Sequence, residues 1–101
     1  MSVVSIIKQA AAKAISDVYQ VEIDPVNITV SATKPEFEGD YTIVLFSLVK
    51  QLRKSPDAAG VELGNYLLQQ DTELFSSFNV IKGFLNLVIT DSYWINFLKA
   101  N

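Results

Sequence analysis

The first twenty residues carry apolar side chains at the spacing of one face of an α-helix. These apolar residues are Val4, Ile7, Ala11, Ile15 and Val18. Lys8, Lys13 and Asp17 lie off that face. A stripe with three- and four-residue spacing is typical of an amphipathic helix, so we predict a helix over residues 2–20.

The part of the chain that follows carries strand, loop and helix signals in turn. Residues 27–31 alternate polar and apolar positions, which predicts a short strand. Residues 33–40 contain a proline and a glycine and predict a loop. Residues 41–46 are rich in strand-forming side chains, but their apolar positions continue along one helical face into a polar, basic tail. We therefore predict a helix over 41–53.

A second long helix is predicted to begin at Ser55. The Ser55 hydroxyl can cap it, Pro56 suits the first helical position, and Asp57 places an acid in the first turn. Gly60 and Gly64 lie inside this helix, where each costs about 1 kcal/mol relative to alanine. The two glycines indicate either close packing on a neighbouring element or a weak helix.

Two strands joined by a glycine follow this helix. Residues 78–82 and 84–89 are rich in aromatic and aliphatic side chains, and Gly83 lies between them. Helices and strands thus mix along the chain without regular alternation. We expect a single domain over residues 1–101 with an α+β fold of two layers, in which helices pack on one face of a small mixed or antiparallel sheet.

The composition supports folding and narrows the possible chemistry. Half of the 101 residues are hydrophobic and 19% are charged, which lies outside the range of disordered chains. The sequence has no histidine and no cysteine, which excludes thiolate sites and histidine-based catalysis. Glu36, Glu38 and Asp40 lie close together but without the spacing of a calcium-binding loop. We therefore predict no catalytic residue and no metal site.

The charge and hydropathy limit the possible partners. A net charge of −3 disfavours binding of nucleic acid by charge alone, because phosphate neutralisation needs clustered basic residues. It allows contact with one unpaired base, which depends on stacking and hydrogen bonds. The longest mostly apolar run, residues 43–49, is far shorter than the roughly 20 residues that cross a bilayer. We expect a cytoplasmic chain without a membrane partner.

The strand at residues 84–89 offers the strongest candidate site. Its period of two places three aliphatic residues on one face and Phe84 beside Asn86 on the other. An aromatic ring next to an amide can stack on a nucleobase and hydrogen-bond its edge. Lys82, just upstream, could meet a phosphate. The structural alternative is that Phe84 belongs to the core and Asn86 caps a sheet edge.

Residues 93–99 are unusually apolar and predict a last short helix, capped by Asp91 or Ser92. This helix could pack on its own domain. Alternatively, it or the open face of the sheet could dock a protein partner, which would make the chain a protein-interaction module.

Two motifs, taken in order, resemble those of a known family. Residues 34–42 read Lys-Pro-Glu-Phe-Glu-Gly-Asp-Tyr-Thr, and residues 83–87 read Gly-Phe-Leu-Asn-Leu. Together with the apolar and Ser-Pro segments between them, they resemble the N-terminal additional domain of arginyl-tRNA synthetases. The resemblance covers nearly the whole chain.

The resemblance implies a two-layer α+β domain that contacts the tRNA elbow, especially the D-loop. In the family, an aromatic and an amide residue on this strand handle a D-loop base, and they correspond to Phe84 and Asn86. The family often has proline before the aromatic residue where this chain has Gly83, so Lys82 is a candidate tRNA contact and not an inherited one.

The resemblance also implies partners and an activity for a longer protein. The partners would be arginine-accepting tRNA and a catalytic domain in the same polypeptide, with ATP and Mg²⁺ used only by that parent enzyme. This chain carries neither the His-Ile-Gly-His nor the Lys-Met-Ser-Lys signature. It therefore resembles an excised auxiliary domain, without a cofactor and inactive alone, that helps position tRNA for ATP-dependent arginylation.

A second RNA-binding family, the RNA-recognition motif, fits less well. Lys82, Gly83 and Phe84 match the opening of its aromatic strand, but Leu85 and Asn86 stand where that strand has a small residue and a second aromatic one. The predicted helix also comes first, whereas that fold begins with a strand.

Overall fold

The computed structural model describes residues 3–46 and 48–91. It contains three α-helices, a short 3-10 helix and four strands in these residues. In chain order they are α1 (Val3–Tyr19), the 3-10 helix (Pro25–Asn27), β1 (Val30–Ala32), β2 (Tyr41–Val44), α2 (Val49–Leu52), α3 (Pro56–Gln70), β3 (Phe75–Ile81) and β4 (Phe84–Ile89).

The four strands form one sheet in the order β1-β2-β4-β3. All three pairings are antiparallel. α3 packs on β3 and β4, and α1 packs on α3 and on β1. The predicted α+β architecture, with helices against a small antiparallel sheet, is confirmed.

The core lies between the sheet and the two long helices. Its sheet residues are Ile43, Phe75, Leu85, Leu87 and Ile89, and its helical residues include Ile7, Ala11, Ile15, Ala59, Leu63 and Leu67. Alternate residues of β4 therefore enter the core, as the period of two predicted. Burial of these aliphatic side chains is the main stabilising contribution, at about 1.5–3 kcal/mol for each fully buried large side chain.

The start and the glycines of α3 have clear physical roles. The Ser55 hydroxyl accepts a hydrogen bond from the Ala58 amide at 3.2 Å, so the predicted cap is confirmed. A β-carbon on Gly64 would lie 2.5 Å from the ring of Phe78, and one on Gly60 would lie 2.8 Å from Val80. The glycines thus let the helix approach β3 closely, which decides between the two interpretations of their presence.

The predicted helix over 41–53 is wrong for most of its length. Tyr41–Val44 is strand β2, which lies inside the sheet between β1 and β4. Of the residues in this range that the structure describes, only Val49–Leu52 is helical, and Arg53 ends this turn in the left-handed region at φ 55°. Hydrogen-bonded neighbours on both sides of β2 stabilise the extended backbone, and they override the helical spacing of the apolar residues.

The remaining predicted elements are close to those observed. α1 covers the predicted first helix, and the strand predicted over 27–31 is displaced towards the C-terminus as β1. The strands on either side of Gly83 are present, and β3 begins earlier than predicted. The helix predicted over 93–99 lies outside the described residues. Across 3–46 and 48–91, none of the helices is long and apolar enough to span a bilayer.

Candidate nucleic-acid interface

The face of the sheet turned away from α1 and α3, here called the outer face, carries a row of polar side chains. Ser31 pairs with Thr42, Thr42 with Asn86, and Asn86 with Asn79, so the row crosses all four strands. Paired residues of neighbouring strands share a face. Phe84 lies two positions from Asn86 and therefore belongs to the same outer face.

A shallow pocket of about 80 Å³ lies on the outer face. Its lining residues are Ser31, Ala32, Lys34, Phe37, Thr42, Phe84 and Asn86. They combine two aromatic rings, one cationic side chain and a group of hydroxyl and amide functions. We call this feature the outer pocket. It offers apolar rings for a planar group and polar atoms for the edge of that group.

Phe84 is half-buried, and its ring packs against a second aromatic side chain. The ring centroids of Phe84 and Phe46 are 5.7 Å apart, with an interplanar angle of 81°. Such an edge-to-face contact stabilises an aromatic pair and orients both rings. Phe46 is 53% exposed and its ring lies over Gly83, where a β-carbon would come within 2.6 Å. Phe46 thus packs against both the Phe84 ring and the turn at Gly83.

Asn86 is fully buried, with a relative exposure of 0%. Its Oδ1 accepts a hydrogen bond from the Thr42 hydroxyl at 2.6 Å. Its Nδ2 donates to Oδ1 of Asn79 at 2.8 Å. A side-chain amide has two N–H donors and two acceptor lone pairs, so one donor and one lone pair of Asn86 remain beyond these two bonds.

The hydrogen bonds of Asn86 are part of a connected series of hydrogen bonds, here called the hydrogen-bond chain, that reaches the loop at residues 33–40. The Thr42 hydroxyl gives its proton to Asn86, so in its 2.9 Å contact with Thr33 the Thr33 hydroxyl is the donor. On the other side, Nδ2 of Asn79 donates to the backbone carbonyl of Glu38 at 2.6 Å. Both ends of the loop are thereby tied to the outer face.

Glycine allows the loop to lie directly on Asn86. Gly39 has φ 147°, and a β-carbon there would lie 3.1 Å from the β-carbon of Asn86. The next residue, Asp40, accepts a hydrogen bond on Oδ2 from the Ile89 amide at 2.8 Å. This carboxylate therefore serves to attach the loop to β4.

The acidic residues of the loop do not converge on a common point. Among the residues that the structure describes, no group of three or more His, Cys, Asp or Glu side chains could hold a metal ion.

Lys82 does not line the outer pocket with Phe84 and Asn86. It is exposed and occupies the turn between β3 and β4 at φ 49°. Lys34 is the lysine that lines the pocket. Sequence reasoning missed Lys34 and Phe37 as site residues. The signal available for Phe37 was an aromatic side chain between Pro35 and Gly39 in an otherwise polar loop.

A small antiparallel sheet backed by helices, with an aromatic and polar pocket on its outer face, defines an α+β domain suited to hold one planar group. The family model for the arginyl tRNA synthetase N terminal domain matches residues 5–89 of this chain. The chain belongs to this family.

Individual relatives agree with the family match. The chain is 38% identical to the arginine–tRNA ligase of Porphyromonas gingivalis over 99 residues, which are 98% of this chain and 16% of that protein. It is 38% identical to the arginine–tRNA ligase of Phocaeicola vulgatus over 87 residues, which are 86% of this chain and 14% of that protein.

A solved structure has the same fold. The arginyl-tRNA synthetase of Thermus thermophilus superposes with a TM-score of 0.71 at 26% sequence identity, covering 95% of this chain and 15% of that chain. The chain thus spans only 14% to 16% of the length of these relatives.

Proposed function

We propose that this chain binds arginine-accepting tRNA through an unpaired base of the D-loop, at the tRNA elbow. Phe84 stacks on that base, and the polar side chains beside it meet the base edge. In a full-length arginine–tRNA ligase, this contact helps to position the tRNA for ATP-dependent arginylation by a separate catalytic domain. The observation that carries the proposal is the outer pocket, which joins Phe84 and Asn86 in a chain of this family.

The chemistry of the outer pocket favours a nucleobase. Stacking of a base on an aromatic side chain contributes about 1–3 kcal/mol. The Thr42 and Asn86 side chains supply hydroxyl and amide groups close to the same ring. One N–H and one lone pair of Asn86 remain to bond a base edge. Because Asn86 lines the outer pocket but has no exposed surface, this bond requires a local movement of the groups that cover its side chain.

The charge of the chain predicts weak binding by the chain alone. With 8 basic and 11 acidic residues, only a few phosphates can be neutralised, so affinity should fall gently with salt. Within a longer ligase, the same contact gains from effective concentration because other domains hold the tRNA nearby.

The experiment is an NMR titration of the ¹⁵N-labelled chain with arginine-accepting tRNA at low salt. We expect amide shifts centred on residues 31–42 and 82–88, and loss of these shifts with the Phe84→Ala variant. Val88→Ala is a matched control, because Val88 lies on the same strand and the same face but outside the outer pocket. A tRNA made abasic at its unpaired D-loop positions should bind more weakly.

Two results would contradict the proposal. One is equal binding of the wild-type chain and the Phe84→Ala variant. The other is equal binding of intact tRNA and tRNA with the abasic D-loop. If no tRNA binds even at high concentration, the protein-interaction alternative gains support, for which the exposed Phe46 ring offers an apolar contact.

A further inference from the structure

The outer pocket is built from two parts of the chain that are distant in sequence. Phe84 and Asn86 come from β4, whereas Lys34 and Phe37 come from the 33–40 loop. Phe37 is half-buried although its neighbours on either side, Glu36 and Glu38, are exposed. Phe37 therefore adds a second aromatic ring to a pocket that Phe84 already lines, and both rings can contact a planar group.

We propose that the 33–40 loop forms the second half of the nucleotide site, in which Phe37 contacts the same base as Phe84 and Lys34 pairs with the phosphate of that nucleotide. This inference rests on the proposed function and adds two contact residues to it. The occupant is a single unpaired nucleotide, because the pocket of about 80 Å³ is small and combines two aromatic rings with hydroxyl and amide groups.

Lys34 is better placed than Lys82 to meet the phosphate. Both side chains are exposed, but only Lys34 lines the pocket that contains Phe84. Its acidic neighbours on the loop, Glu36 and Glu38, do not line the pocket. The phosphate of a nucleotide whose base occupies the pocket would therefore meet a cation at its edge.

The hydrogen-bond chain through Asn86 prepares the loop for this contact. Thr33 is held by Thr42 at 2.9 Å, and Glu38 is held by Asn79 at 2.6 Å. Between these two anchors, the Phe37 amide donates to the Lys34 carbonyl at 3.0 Å and closes a turn. Anchoring both ends lowers the entropy that the loop loses when a ligand binds, which increases affinity.

The test compares the dissociation constants of variants for arginine-accepting tRNA, with each variant's ¹H–¹⁵N spectrum as the check on folding. Phe37→Leu should weaken binding by about fivefold or more through the loss of stacking, and Phe37→Tyr should retain binding. Lys34→Gln should lower the slope of log affinity against log salt by about one. Lys82→Gln, which removes the same charge, and Glu36→Gln, on the same loop, are the matched controls.

Failure of this inference can be distinguished from failure of the proposed function. If Phe84→Ala weakens binding but Phe37→Leu and Lys34→Gln do not, the 33–40 loop is not part of the nucleotide site, and the proposed D-loop function stands. If Lys82→Gln lowers the salt slope and Lys34→Gln leaves it unchanged, the phosphate assignment is overturned. If none of Phe84→Ala, Phe37→Leu and Lys34→Gln changes binding, both proposals are wrong.

Discussion

The two faces of β4 carry different kinds of side chain, although their residues alternate along a strand of only six residues. On the inner face, Leu85 and Leu87 are completely buried against the helices. On the outer face, Phe84 is half-buried and lines the pocket. Asn86 is buried beneath the 33–40 loop, and its side chain is hydrogen-bonded to residues of β2 and β3. The inner face stabilises the fold through apolar burial, whereas the outer face holds polar groups in fixed positions. One strand therefore supplies the core and the candidate site.

This comparison predicts opposite effects for two neighbouring substitutions. Leu85→Ala should lower the free energy of unfolding by about 2–5 kcal/mol, because it leaves a cavity in the core. Phe84→Ala should destabilise the fold less, since its side chain is only half-buried, and should weaken tRNA binding more. Urea denaturation and tRNA titration of both variants measure the two effects. If the two variants lost similar amounts of stability and of tRNA affinity, the proposed difference in role between the two faces of β4 would be wrong.

The hydrogen-bond chain of the outer face predicts a smaller loss of stability. Thr42→Val keeps the side-chain shape but leaves Oδ1 of Asn86 without its donor, which should cost about 1–3 kcal/mol. It also releases Thr33, so amide hydrogen exchange in the 33–40 loop should become faster. Thr42→Ser keeps the hydroxyl and is the matched control for exchange. Unchanged hydrogen exchange in Thr42→Val would show that these hydrogen bonds do not hold the 33–40 loop in place.

Local signals in the sequence were enough to predict several parts of the fold. The spacing of apolar residues in α1, the cap at Ser55 and the alternation along β4 each depend on neighbouring residues alone. The same alternation identified Phe84 and Asn86 as an outer pair. These features are specified within one element, so a reader of the sequence can find them.

Features decided by distant residues could not be predicted in this way. Residues 41–44 have both strand propensity and helical spacing, and the pairing of β2 with β1 and β4 decides between them. The positions of Lys34 and Phe37 depend on hydrogen bonds that the loop makes with Thr42, on β2, and with Asn79, on β3. Neither partner belongs to the loop, and Asn79 is about forty residues away in sequence. Their positions therefore become visible only when the sheet has formed.

The most direct test of the central claim is photo-crosslinking of this chain to arginine-accepting tRNA that carries 5-iodouridine in the D-loop, followed by mass spectrometry of the crosslinked peptide. We predict crosslinks within residues 82–88 and 33–40, and their reduction by Phe84→Ala. Crosslinks that lie instead on the exposed surface of α1 or α3, with the outer face unmodified, would contradict the account.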